Sequence, residues 1–294
     1  MSRSPVLITG GRGQLGSDLS ELLAGDRELE APGRDELDVA DAAALRAALQ
    51  RLKPSLVINC AAFHNVDVCE SEEARALEVN VTAVKRLAEA CAERGSKLVH
   101  FSTNYVFDGR RPDPYAEDDL PSPRSVYAIS KLAGEHAALT YAPGALVIRS
   151  AGLYGLHGSA SKGGNFVTRV LGRAEEQGFL RMVEDQRLSP TFTADLAGAV
   201  LEAVEAGAHG LVHLTSAGAC SWLEFTEAIM SLAGREVEIS PVRTEPREGV
   251  ADRPLNGVLA RRRADSLGLT PLRDWRDALA DYMQRAGLVA ASPA

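Results

Sequence analysis

The chain has 294 residues, 45% of them hydrophobic, with a formal net charge of −8 and a pI near 5.4. That is enough apolar material for a large core, which excludes wholesale disorder, and too acidic for a general nucleic-acid binder, which shows a basic face. An anionic ligand is therefore expected at a local cluster of N–H groups and arginines. Cys60, Cys69, Cys91 and Cys220 are scattered, without a C-x-x-C pair or a histidine at ligand spacing. Reduced thiols fit that pattern better than structural zinc or a disulfide framework. The first residues run into a strand without a signal-peptide pattern, and no apolar run approaches membrane-spanning length, so a soluble cytoplasmic protein with no metal is expected.

Short β-branched runs alternate with helical periodicity through the first half. "VLITG" precedes "QLGSDLSELLAG", "LEA" precedes "DAAALRAALQRL", and "LVINCAA" precedes a long helical stretch, "ARALEVNVTAVKRLAEACAERG". "KLVHFST" leads through a loop to "VYAISKLAGEH", and "ALVIRSAGLYG" completes the series. Strands without polar alternation are buried on both faces, which predicts a doubly wound parallel α/β sheet. After about Gly155 the rhythm breaks. "LHGSASKGGN" reads as a mobile loop, and a helix, a turn into another helix, and two strands interleaved with two more helices follow. These pieces are too interleaved to fold alone, so the expected division is a dinucleotide-binding domain over 1–155 and a mixed region over 156–294. The latter would contain a small substrate lobe and elements returning to the main fold.

"ITGGRGQLGSDL" places Gly10, Gly13 and Gly16 directly after the first strand and at the opening of the first helix. In that context the first glycine makes a tight turn and the second lets backbone approach a pyrophosphate. The third lets helix and strand pack closely, while N–H groups near Gln14 and Leu15 face the phosphates. At the end of the second strand an acid would grip the adenosine ribose, whereas a base accommodates a 2′-phosphate. The chain reads Gly33-Arg34 there, which favours NADPH over NADH. Asp38 is either an adenosine contact or the cap of the next helix.

With a nicotinamide implied, Tyr127 and Lys131, one helical turn apart, become a proton-transfer pair. A phenol titrates near pH 10, so acting at neutral pH requires lowering its pKa by about three units, ~4 kcal/mol. An ammonium ~5 Å away contributes on the order of 3 kcal/mol at an effective dielectric of 20. Ser102 and Thr103 end the fourth strand on opposite faces, and only one can look at a substrate carbonyl.

These motifs, with "LDVAD", "NCAAFHNVDVCESE", "STNYVFDG", "GNF", "DQRLSPT", Ser221-Trp222 and "RPLN" from Arg253, resemble the extended short-chain dehydrogenases/reductases. Among these, the chain is most similar to the dTDP-4-dehydrorhamnose reductases, over nearly its whole length. The resemblance implies a Rossmann sheet with a small C-terminal lobe and NADPH-dependent reduction of a 4-keto deoxysugar nucleotide. It implies Tyr127 as proton donor, Lys131 as its partner and cofactor ligand, and Thr103 as the hydroxyl beside the sugar. Cofactor contacts would come from Gly10, Gly13, Gln14, Leu15, Gly16, Asp38, Val39 and Ala61, Ala62 and Phe63, with Asn104 at the substrate's edge and Asn165 and Arg253 near its diphosphate.

Three departures stand out. Ala151-Gly152-Leu153-Tyr154 replaces the family's usual Ser-Trp-Val-Tyr, Asn104 stands where an Asp is usual, and Phe63-His64 replaces an aromatic or His followed by Thr. Two other readings remain at this point. One is a sugar-nucleotide epimerase or dehydratase on retained NAD⁺, whose usual acid at the second strand's end is absent here. The other is a non-catalytic NADP-binding subunit resembling the regulatory β subunit of methionine adenosyltransferase. NADH as cofactor and a homodimer also stay open.

Overall fold

The structure, a computed structural model, describes residues 4–25, 28–158, 163–245 and 249–290, so residues 159–162 of the expected mobile loop lie outside it. In chain order, β1 (Val6–Thr9) leads to α1 (Gln14–Leu23), and β2 (Leu29–Glu30) to α2 (Ala42–Leu52). β3 (Leu56–Asn59) leads to α3 (Val66–Ser71), α4 (Glu73–Leu77), a π turn (Glu78–Thr82) and α5 (Ala83–Arg94). β4 (Lys97–Thr103) is followed by α6 (Val126–Tyr141), β5 (Leu146–Ser150) and β6 (Leu153–Tyr154). Then come α7 (Phe166–Gln177), β7 (Phe179–Val183), β8 (Arg187–Leu188), β9 (Thr191–Phe192), α8 (Thr193–Glu205) and β10 (Gly210–His213). β11 (Cys220–Ser221), α9 (Trp222–Leu232), β12 (Glu238–Val242), α10 (Arg262–Ser266) and α11 (Trp275–Arg285) complete the described chain.

Six strands form one parallel sheet in the order β2-β1-β3-β4-β5-β10. The order reverses between β1 and β3, and such a sheet binds ligands in the crevice at the carboxyl end of that switch point. Alternation along the strands sends Leu7, Val57, Leu98 and Val147 into one core with α2, α5 and α6. Val6, Ile8, Ile58, Val99 and Ile148 face the other, with α1 and α8. Both faces are buried, which is why the strands lack polar alternation.

The lobe is built from β7 paired with β12, β8 with β11, and β6 with β9. Together with α7, α9 and α11 these elements bury Tyr154, Phe192, Phe225, Trp275 and Tyr282. Between its parts, α8 and β10 return to the main sheet, where β10 pairs with β5. The stretch expected as one long helix is divided instead. Its π turn carries Asn80 fully into the interior. α3 had no strong periodic signal because only six residues form it. No helix among the described residues is long and apolar enough to cross a membrane.

Candidate active site

Gly10 has φ +67°, and a Cβ there would stand 2.8 Å from the Ala61 nitrogen just past β3. At Gly16 a Cβ would lie 2.4 Å from the Gly10 carbonyl oxygen, so α1 is pressed against the turn. Gly13, the N-cap of α1, differs: a Cβ would meet the Gly10 oxygen at 3.2 Å and nothing else within 4 Å. Open space on that side leaves room for a ligand. The first turn of α1 has no side-chain cap and no acid to occupy its N–H groups, as an anion site requires. Buried beside this turn, Gln14 Oε1 lacks a partner among the described residues, while Leu15 packs into the core and offers the crevice only backbone. These residues fit a dinucleotide.

At the end of β2 two arginines are near the expected position. Arg34 is exposed and pairs with Asp38 at 3.5 Å. The arginine lying over Gly33 is Arg12, from the glycine loop, whose Cδ would be 2.8 Å from a Cβ at that position. Arg12 is paired with Glu36 through Nε (2.9 Å) and Nη2 (2.5 Å), and Glu36 also accepts from the Gly33 N–H. That pairing holds the Glu36 carboxyl down to about 2. Asp38 accepts from the Ala40 N–H, Val39 is buried, and the cap of α2 is Asp41.

The loop after β3 is held from below. Asn80 accepts from the Phe63 N–H and donates to the Phe63 carbonyl, both at 2.9 Å, and donates to Ser130 Oγ on α6 at 2.9 Å. Ala61, Ala62 and Phe63 are thereby fixed beside the crevice, half-buried. His64 Nδ1 lies 3.3 Å from the Ala62 carbonyl oxygen.

Ser125 caps α6 and sets Tyr127 in the first turn, with part of its surface open. The Tyr127 phenol lies beside the Thr103 hydroxyl, which accepts from the Tyr105 N–H, so Thr103 is the strand-end hydroxyl that faces the phenol. Ser102 points elsewhere, buried and without a partner among the described residues. The Tyr105 ring meets Tyr127 edge-on at 5.9 Å.

Electrostatics depart from the expected tuning. Burial pushes the Tyr127 phenol above its ordinary value, with the Thr103 hydroxyl opposing. The Lys131 ammonium is 3% exposed and is lowered by burial to about 8, against an upward pull from Glu135 and Cys60. Helical spacing puts the two residues on one side of α6, but Lys131 turns inward. The protein's own groups therefore keep the phenol protonated, as a proton donor needs.

The residues expected on the substrate side are engaged elsewhere in two cases. Asn165 is buried in the capping box of α7, and its amide donates to the Gly155 carbonyl and the Tyr282 hydroxyl, both at 2.7 Å. Its polar atoms bond within the lobe. Asn104, equally buried, donates to the Gly257 carbonyl at 3.0 Å and ties β4 to the segment before α10. Arg253 pairs with Asp67 of α3 and lies close to the Tyr105 hydroxyl, so it does stand by the crevice. Gly152 has φ +56°, and a Cβ there would meet Leu188 Cδ1 at 2.6 Å, so Leu188 fills the place of the usual tryptophan.

Fold and crevice together define the extended short-chain dehydrogenases/reductases. Within them the chain belongs to the family described as RmlD substrate binding domain, whose family model matches residues 4–287. It is 40% identical to a dTDP-4-dehydrorhamnose reductase of Mycobacterium tuberculosis, over 94% of this chain and 91% of that protein. It is 38% identical to a dTDP-4-keto-6-deoxy-D-glucose reductase of Streptomyces niveus, over 93% and 94%. A crystal structure of dTDP-4-dehydrorhamnose reductase from Bacillus anthracis in complex with NADP superposes with a TM-score of 0.91 at 31% identity, covering 96% of this chain and 99% of that one.

Sequence reasoning missed Arg12, Asn80, Tyr105 and Asp67. Arg12 was visible inside the glycine loop, but its proximity to Gly33 is a tertiary fact. The other three gave no periodic or spacing signal.

Proposed function

We propose that the protein reduces the 4-keto group of a nucleotide-linked 6-deoxyhexose with NADPH. The observation that carries this reading is the Tyr127–Thr103 hydroxyl pair at the carboxyl edge, beside a glycine cradle that fits a dinucleotide. Gly10, Gly13 and Gly16 with the Gln14 and Leu15 N–H groups would hold the diphosphate. Arg12 and Arg34 are placed for a 2′-phosphate, and Asp38, Val39 and Ala61 to Phe63 for the adenosine side. NADPH supplies the hydride when bound. Thr103 orients the carbonyl, Tyr127 delivers the proton to its oxygen, and Lys131 donates to the nicotinamide ribose.

The relatives named above as reductases act on 4-keto or 4-dehydro sugars carried by dTDP, which supports the same substrate class here. Because Leu188 occupies the space beside Gly152, the sugar is held without a stacked aromatic at that position, and the hexose accepted follows from this smaller, aliphatic wall. Four free cysteines agree with a reducing cytoplasm, and a homodimer is the expected assembly.

Purified protein should oxidise NADPH only when a dTDP-4-keto-6-deoxyhexose is added. Tyr127→Phe is expected to lower kcat by roughly 10²–10⁴-fold while leaving cofactor affinity within about twofold. Tight NADP binding with no turnover across such sugars would favour the binding-subunit reading. NAD⁺ retained through purification would favour an epimerase or dehydratase.

A further inference from the structure

Among the motifs that the proposed reaction leaves unused is "VDVCES", the short helix α3. It touches three parts of the crevice. Glu70 Oε1 accepts from the backbone N–H of Val126, the residue before Tyr127, at 2.8 Å. Cys69, buried, donates to the Phe63 carbonyl at 3.6 Å and lies close enough to act on the Tyr127 phenol. Asp67 reaches across to the segment after β12. Its carboxylate accepts from the Ala251 N–H at 3.1 Å and from Arg253 Nη2 at 3.0 and 2.8 Å. Arg253 Nη1 closes the loop by donating to the Ala251 carbonyl at 3.1 Å.

We propose that Asp67 is a positioning residue for the anionic part of the substrate, a nucleoside diphosphate, acting by holding the Arg253 guanidinium in place at the crevice. This rests on the reading that a sugar nucleotide presents its carbonyl to Tyr127. Tyr105 lies between the two ends, with its ring against Tyr127 and its hydroxyl close enough to Arg253 to act on it. A diphosphate attached to a sugar at Tyr127 is therefore brought toward Arg253. An arginine side chain free in solvent must be ordered when it meets an anion, and that cost lowers affinity. Asp67 removes the cost beforehand, since one carboxylate fixes both the backbone at 251 and the guanidinium at 253. Arg253 remains partly open, with 26% of its side chain exposed. Part of its surface is therefore still accessible to a ligand while its orientation is set. The opposite role, a carboxylate competing with the anion for Arg253, predicts an effect of opposite sign.

The test uses the full chain with NADP present and thymidine diphosphate as the probe, with calorimetry for affinity and steady-state kinetics with a dTDP-4-keto-6-deoxyhexose. Asp67→Asn is expected to weaken thymidine diphosphate binding about tenfold, the scale of one lost charge-assisted hydrogen bond. KM for the sugar nucleotide should rise by a similar factor, while kcat and NADP affinity stay within about twofold. Asp67→Glu should restore part of the loss. Combining Asp67→Asn with Arg253→Ala should be no weaker than Arg253→Ala alone, because Asp67 acts through the arginine.

Unchanged or tighter diphosphate binding in Asp67→Asn overturns the proposal. So does a parallel fall in NADP affinity, which would mark a general structural role, or a wild-type protein that does not bind thymidine diphosphate. If the wild type binds the diphosphate, loses it on Asp67→Asn, and yet never oxidises NADPH, the reductase reading falls while the role of Asp67 is supported.

Discussion

Lys131 is an ammonium almost wholly removed from water, and burial, opposed in part by Glu135 and Cys60, brings it to about 8. The gap from its ordinary 10.5 corresponds to roughly 3 kcal/mol held against folding below that pH. The folded pKa lies below the unfolded one, so between pH 8 and 10.5 the unfolded chain binds more protons and stability rises with pH. Lys131→Met is therefore expected to be more stable than the parent at pH 7, with the difference closing as pH approaches 10.5. Urea unfolding of both proteins at pH 7 and 10 reads this directly, and a gap independent of pH would mean that Lys131 does not titrate there. Arg12 presents a second residue-level case. Exposed at the surface, it is held by Glu36 over Gly33, at the strand end where we propose that a 2′-phosphate is read. Arg12→Ala should reduce the preference for NADPH over NADH, taken as the ratio of kcat/KM values, by roughly tenfold, the scale of one lost charge-assisted contact. A preference that survives this change and vanishes in Arg34→Ala would return the role to Arg34.

Glu135 on α6 and Arg149 on β5 form a bidentate pair at 2.8 and 2.6 Å, both nearly inaccessible, with Arg149 also 5.0 Å from the Phe107 ring centroid. The same Glu135 pulls the Lys131 ammonium upward, so one carboxylate clamps the catalytic helix to the sheet and sustains the lysine's charge. Removing one partner of such a pair strands a charge in the interior, whereas removing both does not. Arg149→Met should cost about 3–5 kcal/mol in denaturant unfolding, and adding Glu135→Leu should recover most of it. A double variant no better than the single one would show that Arg149 contributes through packing alone. At this scale the sequence was legible where periodicity spoke, in β1 with its glycine turn and in the helical stretches of α2 and α9, while the cap of α2 proved to be Asp41 and not Asp38. It was illegible where a side chain's bonds lie far along the chain. Asn165 looked like a substrate residue because it precedes a helix, and that same position is what commits it to a capping box. Asn80 sits within a helical pattern, and only the π turn shows that its amide faces the Phe63 loop.

Across the whole molecule, the division read at residue 155 runs through shared cores rather than between them. Leu196, Ala197, Val200 and Ala203 of α8 pack in the same core as Val6, Ile8, Leu15 and Leu19. β10 covers β5, which would otherwise present its backbone and Val147 and Ile148 at an open edge. The crossing bonds are equally distributed: Asn104 to Gly257, Arg124 to Asp252, Asp67 to Arg253, and Lys97 to the Ala208 carbonyl. A chain cut after 155 loses α8 from one face of its sheet and gains an unpaired parallel strand, the kind of edge that associates. Residues 1–155 made alone should therefore fail to give a cooperative unfolding transition and should aggregate, while the same residues co-expressed with 156–294 regain solubility if the halves assemble. Solubility together with a sharp thermal transition for the isolated fragment would show that α8 and β10 are dispensable to the dinucleotide half. The expected failure has a functional side as well. Asp67 to Arg253 and Asn104 to Gly257 join the two parts of the chain beside Tyr127, so the substrate side of the proposed crevice is complete only when both are present.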